Sequence, residues 1–363
     1  GDNLNLIFKI MKRGEKLEKA VAEGKLDEIS DMGLRYDLTL PLSRYYANNR
    51  NELISPMKCI QIDRVYRAER PQKGRLREFI QCDIDILGEP TILAEIELIT
   101  ATTTLLGKVG FEKFTIRLNN RKMLKAMAAY SGFNEEDFDT VFIILDKMDK
   151  IGMEGVEKEL KESGFEAAAV DKYMDLFKGM KEAEDSLEFL AEEIKDFLES
   201  DVKEGLSEII NSVKATKNAD FDLVFDPTLV RGMSYYTGTI FEIVMPELGA
   251  SCGGGGRYDK MVGKFTGQEV PACGFSIGFE RIVLLLLESG YQIPNAKKKT
   301  AYLIEKGMPT DRLCEVMKEA QEARANGEQI LVSRMNKNKK FQKEQLTAEG
   351  YEEFKEFYKN PLK

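Results

Sequence analysis

A regular alternation of apolar and other side chains runs through residues 77–88. One face of this pattern consists of Ile80, Cys82, Ile84 and Ile86, and the other of Phe79, Gln81, Asp83 and Asp85. A period of two predicts a β-strand with its apolar face on the core and an opposite face that carries carboxylates. Residues 57–69 predict the partner strand of a hairpin. The basic connection 70–76 (RPQKGRL) is longer than a tight turn requires.

Periodic segments divide the rest of the chain. They predict helices at 94–109, 280–287 and 311–325, and β structure at 114–118, 221–245, 271–277, 301–305 and 329–335. Residues 1–50 are predicted to be helical, then polar, then extended. An apolar stripe at helical spacing over 187–198, with acidic residues between, is typical of a helical module without chemistry. The expected domains are a catalytic domain in two parts (1–121 and 219–296), a helical insertion (122–218) and a small α/β domain (297–363).

Composition removes several kinds of chemistry. The 363 residues include no histidine, which excludes Ser-His-Asp triads, histidine bases and histidine-ligated metals. The net charge of −9 still allows a nucleic-acid partner, because phosphate binding needs only local basic surface. Five cysteines without a C-x-x-C pair favour buried thiols in a reducing, cytoplasmic compartment and no metal site. The longest apolar run, Ile282–Leu287, is too short for a membrane span.

Four segments bring arginines, carboxylates or tyrosines to strand ends and turns. In the hairpin, Arg67 can fork onto a phosphate and Phe79 can stack on a base. Glycines 253–256 predict a turn, because no Walker-type or dinucleotide-binding context surrounds them. The segment 231–238 predicts a strand start with two aromatic residues on opposite sides. The segment 274–282 predicts a strand-to-helix junction with an exposed first turn. Each segment taken alone is more typical of ordinary structure than of a site.

Taken in order, these segments resemble one known family. The sequences that carry the resemblance are LRYDLTLPLSRYY (34–46), YRAERPQKGRLREF (66–79), QCDIDILGE (81–89), RGMSYYTGTIFE (231–242), GGGGRYD (253–259) and GFSIGFERI (274–282). They are similar to histidyl-tRNA synthetases, which are class II aminoacyl-tRNA synthetases. The resemblance implies an α+β catalytic domain with an antiparallel sheet flanked by helices, motif 2 at 57–88 and motif 3 at 274–287. It also implies a helical insertion and a C-terminal anticodon-binding domain.

The resemblance implies a set of ATP-binding residues. Arg67 would hold the α-phosphate, while Phe79 and Arg281 would lie on the two sides of the adenine. Glu69 would lie beside the adenine, and Arg75 near the terminal phosphates. Together with Arg231, the arginines Arg67 and Arg281 would be the catalytic residues.

A second set would bind histidine. The implied contacts are Asp37, Thr39 and Gln81 for the α-amino group, and Asp85, Tyr236 and Tyr258 for the imidazole ring. Arg231 would place its guanidinium against the reacting carboxylate and the α-phosphate. A carboxylate nucleophile, with a pKa of about 3.5, is already ionised at neutral pH. The reaction therefore needs positioning and cations, supplied by arginines and Mg²⁺, and no general base.

The implied partners are ATP with Mg²⁺, L-histidine, tRNA(His) and a second copy of the chain, with no membrane. In the basic loop, Gln72 and Arg77 are the predicted contacts for the tRNA acceptor end. Three departures from the family pattern stand out. Motif 1 has no counterpart after Gly1, Ser234 replaces a common Asp, and the terminal domain is short. We therefore expect the natural protein to be longer.

Two alternatives use the same fold. One is an inactive paralogue, such as the regulatory subunit of ATP phosphoribosyltransferase, and the other is an RNA-binding module that senses uncharged tRNA. The presence of Arg67, Arg231, Arg281 and an α/β tail favours the enzyme over both.

Overall fold

A mixed seven-stranded sheet forms the centre of the larger of two units. The structure is a computed structural model that describes residues 4–72, 74–231, 235–293 and 297–360. The chain divides into units Gly1–Glu288 and Ser289–Lys363. The division therefore falls several residues before the expected boundary at 296/297.

The strands of the first unit are β1 (Lys9–Met11), β2 (Ser30–Gly33), β3 (Met57–Tyr66), β4 (Glu78–Leu87), β5 (Phe114–Asn120), β6 (Phe221–Phe225), β7 (Thr239–Met245), β8 (Ala250–Arg257) and β9 (Ala272–Gly278). The large sheet has the order β3-β4-β9-β8-β7-β5-β6, and its neighbouring strands are antiparallel except for the parallel pair β5–β6. Strands β1 and β2 form a separate antiparallel ribbon.

The helices of this unit are α1 (Glu15–Ala22), α2 (Thr39–Asn49), α3 (Leu93–Val109), α4 (Arg121–Ser131), α5 (Phe138–Leu145), α6 (Met148–Glu162), α7 (Ala167–Glu182), α8 (Ser186–Glu193), α9 (Ser200–Ala215), α10 (Lys260–Thr266) and α11 (Phe279–Glu288). Helices α4–α9 form the helical insertion between β5 and β6. Asp185 caps α8 by accepting hydrogen bonds from two backbone amides of its first turn. Helix α8 ends at Glu193, so Phe197 of the predicted stripe lies beyond it and is exposed.

The predicted hairpin is confirmed, but the prediction of which face is buried is wrong in part. Strands β3 and β4 pair in antiparallel register. On the apolar face Ile86 is buried, whereas Ile60 and Ile62 of β3 are 70% and 63% exposed. The polar face is the more deeply covered one, with Asp85 only 3% exposed. The reason is that β3 is the edge strand, and α3 and α11 pack mainly on β4 and β9. Helix α3 meets β3 through the ion pair of Glu97 with Lys58, and Ile60 and Ile62 stay exposed.

The extended structure expected before residue 50 is also wrong, because residues 39–49 form helix α2. Asp37 accepts a hydrogen bond from the backbone amide of Leu40 at 3.1 Å and so satisfies a donor of the first turn. Pro41 lies in that same first turn, where its missing N–H leaves no helical hydrogen bond unmade. Asp37 therefore holds the first turn of α2 to the segment 34–38 that precedes the helix.

The glycine run predicted as a turn is instead a strand, β8, near the middle of the sheet. Close approach of neighbouring groups explains the glycines. A Cβ on Gly255 would lie 1.9 Å from the carbonyl oxygen of Gly274, and a Cβ on Gly254 would lie 2.8 Å from the guanidinium of Arg231. The run therefore serves packing of the sheet and access for one arginine.

The second unit is a three-stranded parallel sheet with two helices. Its elements are β10 (Lys299–Ile304), α12 (Thr310–Ala325), β11 (Gln329–Arg334), α13 (Lys339–Ala348) and β12 (Tyr351–Phe357). The strand order is β11-β10-β12, around a core that includes Tyr302 and Ile304. The predicted β-α-β part is confirmed, whereas α13 and β12 were not predicted. Across the described ranges of both units, no helix has the length and apolar character needed to cross a membrane.

Candidate active site

The polar face of β4 forms the floor of the candidate site. Gln81, Asp83 and Asp85 project from this face and are all buried. The residues opposite Asp83 and Asp85 on β9 are Ser276 and Gly274. A Cβ on Gly274 would lie 2.0 Å from Oδ1 of Asp85. Small residues on β9 therefore leave room for the carboxyl groups of β4.

Asp85 is held by two polar neighbours. The hydroxyl of Tyr258 donates to Oδ1 at 2.6 Å, and the amide of Gln61 donates to Oδ2 at 3.4 Å. Burial raises the pKa of Asp85 to about 6, although both hydrogen bonds oppose this increase. Burial and the adjacent Asp85 also keep the pKa of Tyr258 well above its usual range. The predicted ring-binding pair Asp85 and Tyr258 thus forms one hydrogen-bonded unit.

Tyr236, the third residue predicted to bind the ring, lies next to Tyr235. Their hydroxyls are 3.3 Å apart and their ring centroids 4.4 Å apart, so the two rings do not pack on opposite sides as expected. Both tyrosines pack against the cluster that contains Tyr258. Ser234 lies outside the described residues.

The segment before α2 contributes Asp37 and Thr39. Asp37 is half-buried, and its negative charge adds to burial in raising the pKa of both Asp83 and Asp85. This electrostatic effect places Asp37 near the two carboxyl groups. Thr39 is half-buried at the start of α2, where its carbonyl accepts a hydrogen bond from Ser43.

Arg231 is fixed by side chains of two strands. Its Nε donates to Glu242 on β7 at 2.7 Å, and its Nη2 donates to the Ser251 hydroxyl on β8 at 3.0 Å. Burial alone would lower the pKa of Arg231, but the Glu242 carboxylate together with Tyr236 and Tyr235 outweighs burial, and the pKa is raised. The arginine is therefore a fixed cation. Sequence reasoning missed Glu242 and Ser251, and no local signal marks them.

Arg281 joins the basic connection 70–76, between β3 and β4, to β8. Its Nε donates to the Gly74 carbonyl at 2.9 Å, and its Nη1 donates to the Ser251 carbonyl. Burial lowers the pKa of Arg281, and the nearby charges of Arg75 and Arg231 lower it further. Three predicted arginines thus lie close enough to interact, which is typical of a site for a polyanion.

Glu280 and Arg281 in the first turn of α11 are half-buried, contrary to the interpretation of 274–282 as an ordinary junction that leaves both exposed; Phe279 beside them is exposed. Glu280 is half-buried and accepts a hydrogen bond from the backbone amide of Ile80 on β4 at 2.6 Å. Because Arg281 follows directly, this bond sets the position of the arginine relative to the floor of the site.

Arg67 lies on two aromatic rings. Its guanidinium is 4.3 Å from the ring centroid of Tyr36 and 4.9 Å from that of Phe79, and its Nε donates to the Tyr36 carbonyl at 3.2 Å. The structure therefore places Arg67 against Phe79. The hydrogen bonds of Arg281 go to the loop and to β8, so an adenine between Phe79 and Arg281 stays a prediction.

The basic connection 70–76 and the residues next to it are folded back on themselves. The guanidinium of Arg75 lies 3.4 Å from the Glu69 carboxylate, and Arg77 donates to the Glu69 carbonyl at 3.1 Å. Gln72 and Arg75 exchange backbone hydrogen bonds at 2.8 and 3.1 Å. Of the predicted tRNA contacts, Gln72 and Arg77 are both exposed.

Sequence reasoning assigned no role to Asp83, although the period-two pattern had placed it on this face. Burial raises the pKa of Asp83 to about 7. The site therefore has an acidic half, with Asp37, Asp83 and Asp85. It also has a basic half that consists of three arginines, Arg75, Arg231 and Arg281. An acidic half suits an ammonium group, and a basic half suits carboxylate and phosphates.

An antiparallel sheet with an intervening helical insertion and this divided polar face is the arrangement of a class II aminoacyl-tRNA synthetase catalytic domain. Solved structures share the fold. A histidyl-tRNA synthetase from Nostoc sp. PCC 7120 is 26% identical with a TM-score of 0.67, covering 88% of this chain and 74% of that one. An ATP phosphoribosyltransferase regulatory subunit/histidyl-tRNA synthetase from Bacillus halodurans C is 21% identical with a TM-score of 0.70, covering 97% and 83%.

Sequence comparison identifies the family. The family model described as histidyl-tRNA synthetase matches residues 25–282. A histidine–tRNA ligase of Leifsonia xyli subsp. xyli is 42% identical over 98% of this chain and 82% of the relative. One of Christiangramia forsetii is 40% identical over 78% of this chain and 65% of the relative. The chain belongs to the histidyl-tRNA synthetase family.

Proposed function

We propose that this protein is a histidine–tRNA ligase. It activates L-histidine with ATP to histidyl-adenylate and pyrophosphate, and it then transfers the histidyl group to the 3′ end of tRNA(His). The observation that carries this proposal is the divided polar site on one face of the sheet. Its acidic half fits the ammonium and imidazole groups of histidine, while its basic half fits the carboxylate and the triphosphate.

The two halves suggest how the first step proceeds. The histidine carboxylate attacks the α-phosphorus of ATP, the new acyl–phosphate bond forms, and pyrophosphate leaves. In this proposal the reacting carboxylate and α-phosphate meet at Arg231, which its ion pair with Glu242 holds in place. Fixed cations stabilise the redistributed charge without moving, which is the main source of catalysis in such a site.

Mg²⁺ enters this proposal together with ATP. Among the described residues, no group of three or more carboxylate or cysteine side chains is arranged to hold a metal ion. Mg²⁺ keeps several waters and binds through substrate phosphates with few protein ligands. The ion would therefore arrive on the phosphates, and Arg75 and Arg281 would contact the remaining oxygens.

The regulatory-subunit alternative has less support. The Bacillus halodurans structure, whose name includes that function, is 21% identical to this chain and is evidence for the fold. The complete set Arg67, Arg231 and Arg281 favours the ligase, since a protein that only senses histidine has no use for cations around an α-phosphate.

Histidine-dependent exchange of pyrophosphate into ATP tests the proposal. The full chain is incubated with ATP, labelled pyrophosphate and Mg²⁺, with and without L-histidine. We expect exchange only with histidine. Binding of histidine without any exchange would contradict the ligase and favour the regulatory alternative. Transfer is then measured with tRNA(His), using a different tRNA as the control.

A homodimer is part of the proposal. The outer face of edge strand β3 carries exposed Ile60 and Ile62, a pair that a monomer would leave in water. We propose that a second copy covers this face. Sedimentation should show a dimer that Ile60→Asp weakens, while Ile293→Asp, at an exposed isoleucine of the second unit, should leave the mass unchanged.

A cytoplasmic location also belongs to the proposal. All five cysteines are free thiols in the structure, as expected in a reducing compartment. Fractionation with a cytoplasmic marker would check it.

A further inference from the structure

We propose that Asp83 is a further substrate-binding residue, whose carboxylate pairs with the α-ammonium group of the amino acid. This inference rests on the proposed function, because it names a contact within the same site. Asp83 was not among the residues to which the family resemblance gives a role.

One buried oxygen of Asp83 lacks a hydrogen bond. Asp83 is 3% exposed, and no donor within the described residues lies at hydrogen-bond distance from its Oδ1, although the Ser276 hydroxyl on β9 is close enough to lower the pKa of Asp83. The amide of Gln81 donates to its Oδ2 at 3.4 Å, which leaves the Oε1 of Gln81 also without a partner. Buried acceptors without donors are rare in native proteins. Two of them side by side indicate that a donor is supplied by something that binds.

The chemistry of the missing donor matches an ammonium group. An ammonium group has three N–H donors and accepts none. Asp83 and Gln81 offer two free acceptors, and the half-buried carboxylate of Asp37 lies close enough to influence Asp83 electrostatically. Three acceptors in one place match three donors. A neutral imidazole has a single N–H, and Asp85 is already positioned to accept it.

The charges around Asp83 are unbalanced. The groups that face Asp83 are Gln81 and Asp85 on β4, Gln61 on β3, Ser276 on β9, Asp37 before α2, and Arg67 directly after β3. Three carboxyl groups therefore face one guanidinium. Arg231 does not correct the imbalance, because its side-chain hydrogen bonds go to Glu242 on β7 and Ser251 on β8. An ammonium group would supply the missing positive charge.

Ligands that differ only in the ammonium group test the assignment. Binding of L-histidine, L-histidinol and 3-(imidazol-4-yl)propionate is measured by calorimetry at pH 8 on the full chain. Histidinol keeps the ammonium group, and the propionate lacks it. The variants are Asp83→Asn and, as the matched control, Asp63→Asn, which alters an exposed aspartate on the same sheet face that pairs with Arg35.

For Asp83→Asn we expect the affinity for histidine and for histidinol to fall by about tenfold or more, since a hydrogen bond between charged groups is removed. Binding of the propionate should change less than about twofold. Asp63→Asn should bind all three ligands like the wild type. Equal weakening of all three ligands would overturn the inference, because it would indicate a ring contact or a structural role. Unchanged binding of histidine would overturn it as well.

The pH profile gives a second readout. Burial raises the pKa of Asp83 to about 7, so the carboxylate is protonated as the pH falls below that value. The histidine affinity ratio of wild type to Asp83→Asn should therefore shrink between pH 8 and pH 5.5. Titration of the histidine ring affects both proteins and cancels in the ratio. A constant ratio would contradict the inference. A wild type that binds no histidine would instead remove the proposed function itself.

Discussion

Two clusters of charged side chains lie on the same face of one sheet, and they differ in how completely they are paired. A single row of cross-strand neighbours joins them: Asp83, Ser276, Gly254, Glu242 and Arg117. At the β5–β7 end, Arg117 contacts the carboxylates of Asp226, Asp149 and Glu242. At the β4 end, carboxyl groups predominate, and two buried oxygens, of Gln81 and Asp83, have no donor at hydrogen-bond distance among the residues that the structure describes.

The difference separates scaffold from binding site. Glu242 shares its two oxygens between Arg117 and Arg231, so the paired cluster holds the guanidinium of Arg231, the predicted catalytic cation, in one position. Such a network resists change, because removing one member leaves a buried charge behind. We expect the unpaired cluster to be less stable by itself and to gain from a ligand. On the proposed function, the same strand geometry would serve positioning at one end of the row and recognition at the other.

The largest expected effect comes from removing the guanidinium of Arg231, the predicted catalytic cation. Arg231→Ala should lower the rate of pyrophosphate exchange by about 10²–10³, as for loss of other groups that stabilise the transition state. Histidine affinity should change less than about threefold, because the contact matters mainly during reaction. Exchange kinetics and calorimetry measure the two quantities. Arg312→Ala in the second unit is the control. A similar loss in both would show that Arg231 binds the ground state.

The next effect comes from filling the space above Asp85. In Gly274→Ala the new Cβ would lie only 2.0 Å from Oδ1 of Asp85. The carboxylate must therefore move away and lose its hydrogen bond with the Tyr258 hydroxyl. Histidine binding should weaken by about 100-fold, as expected when a buried polar group of the substrate is left without its partner. Gly205→Ala is the matched control, since its nearest contact would be an ordinary 3.6 Å. Normal binding by Gly274→Ala would mean that the Asp85 carboxylate does not read the ring.

A smaller effect tests whether the paired cluster positions Arg231. Glu242→Gln keeps the shape but removes the charge, so the guanidinium should become mobile. We expect about a tenfold lower kcat in exchange with an unchanged KM for histidine, the sign of an interaction that matters in the transition state. Exposed Glu247→Gln should behave like the wild type. A rise in KM alone would assign Glu242 to the binding of substrate.

The raised pKa of Asp83 should make the free energy of unfolding depend on pH. Its pKa is raised from 3.8 to about 7 by burial, so the folded state keeps a proton that the unfolded chain releases. The free energy of unfolding therefore falls as the pH rises from about 4 to 7. Asp83→Asn should be about 1–2 kcal/mol more stable than the wild type at pH 8 and equal to it at pH 4. Urea unfolding at both pH values measures this, and destabilisation at pH 8 would contradict it.

The smallest effect is expected at the outer edge of the paired cluster. Asp149 on α6 lies 2.6 Å from Arg117, but its side chain is 64% exposed. Asp149→Asn should lower the free energy of unfolding by less than about 1 kcal/mol, as for other exposed pairs. Asp175→Asn, which breaks a helix-surface pair on α7, is the comparison. A loss of several kcal/mol would show that the insertion helps to maintain the buried network.

The alternation over 77–88 was sufficient to predict β4, its hairpin and the face that carries Gln81, Asp83 and Asp85. It could not show which face would be covered, because this depends on how far α3 and α11 extend over the sheet. The same limit applies to Glu242 and Ser251. Their link to Arg231 comes from strand pairing, and nothing in the residues around them predicts it.

Local signals were also misread where two interpretations compete. Asp37 followed by Pro41 is consistent with a capped helix, but the β-type residues nearby favoured an extended segment. Glycines 253–256 were predicted to form a turn because glycine is common in turns. The strand depends on a neighbour that comes much later in the chain, Gly274. The roles carried over from the family remain predictions at the level of single residues.

The glycine strand β8 has a consequence for mutational tolerance. At each of its four consecutive glycines, a Cβ would lie within 2.7 Å of a backbone oxygen, belonging in turn to Ser276, Phe241, Gly274 and Thr239. Every amino-acid replacement adds that atom, so a scan of all substitutions should find four adjacent positions that accept none. Such intolerance is usually taken as a sign of chemistry. Here it would reflect the distance between strands and, at Gly254, the space that the guanidinium of Arg231 occupies.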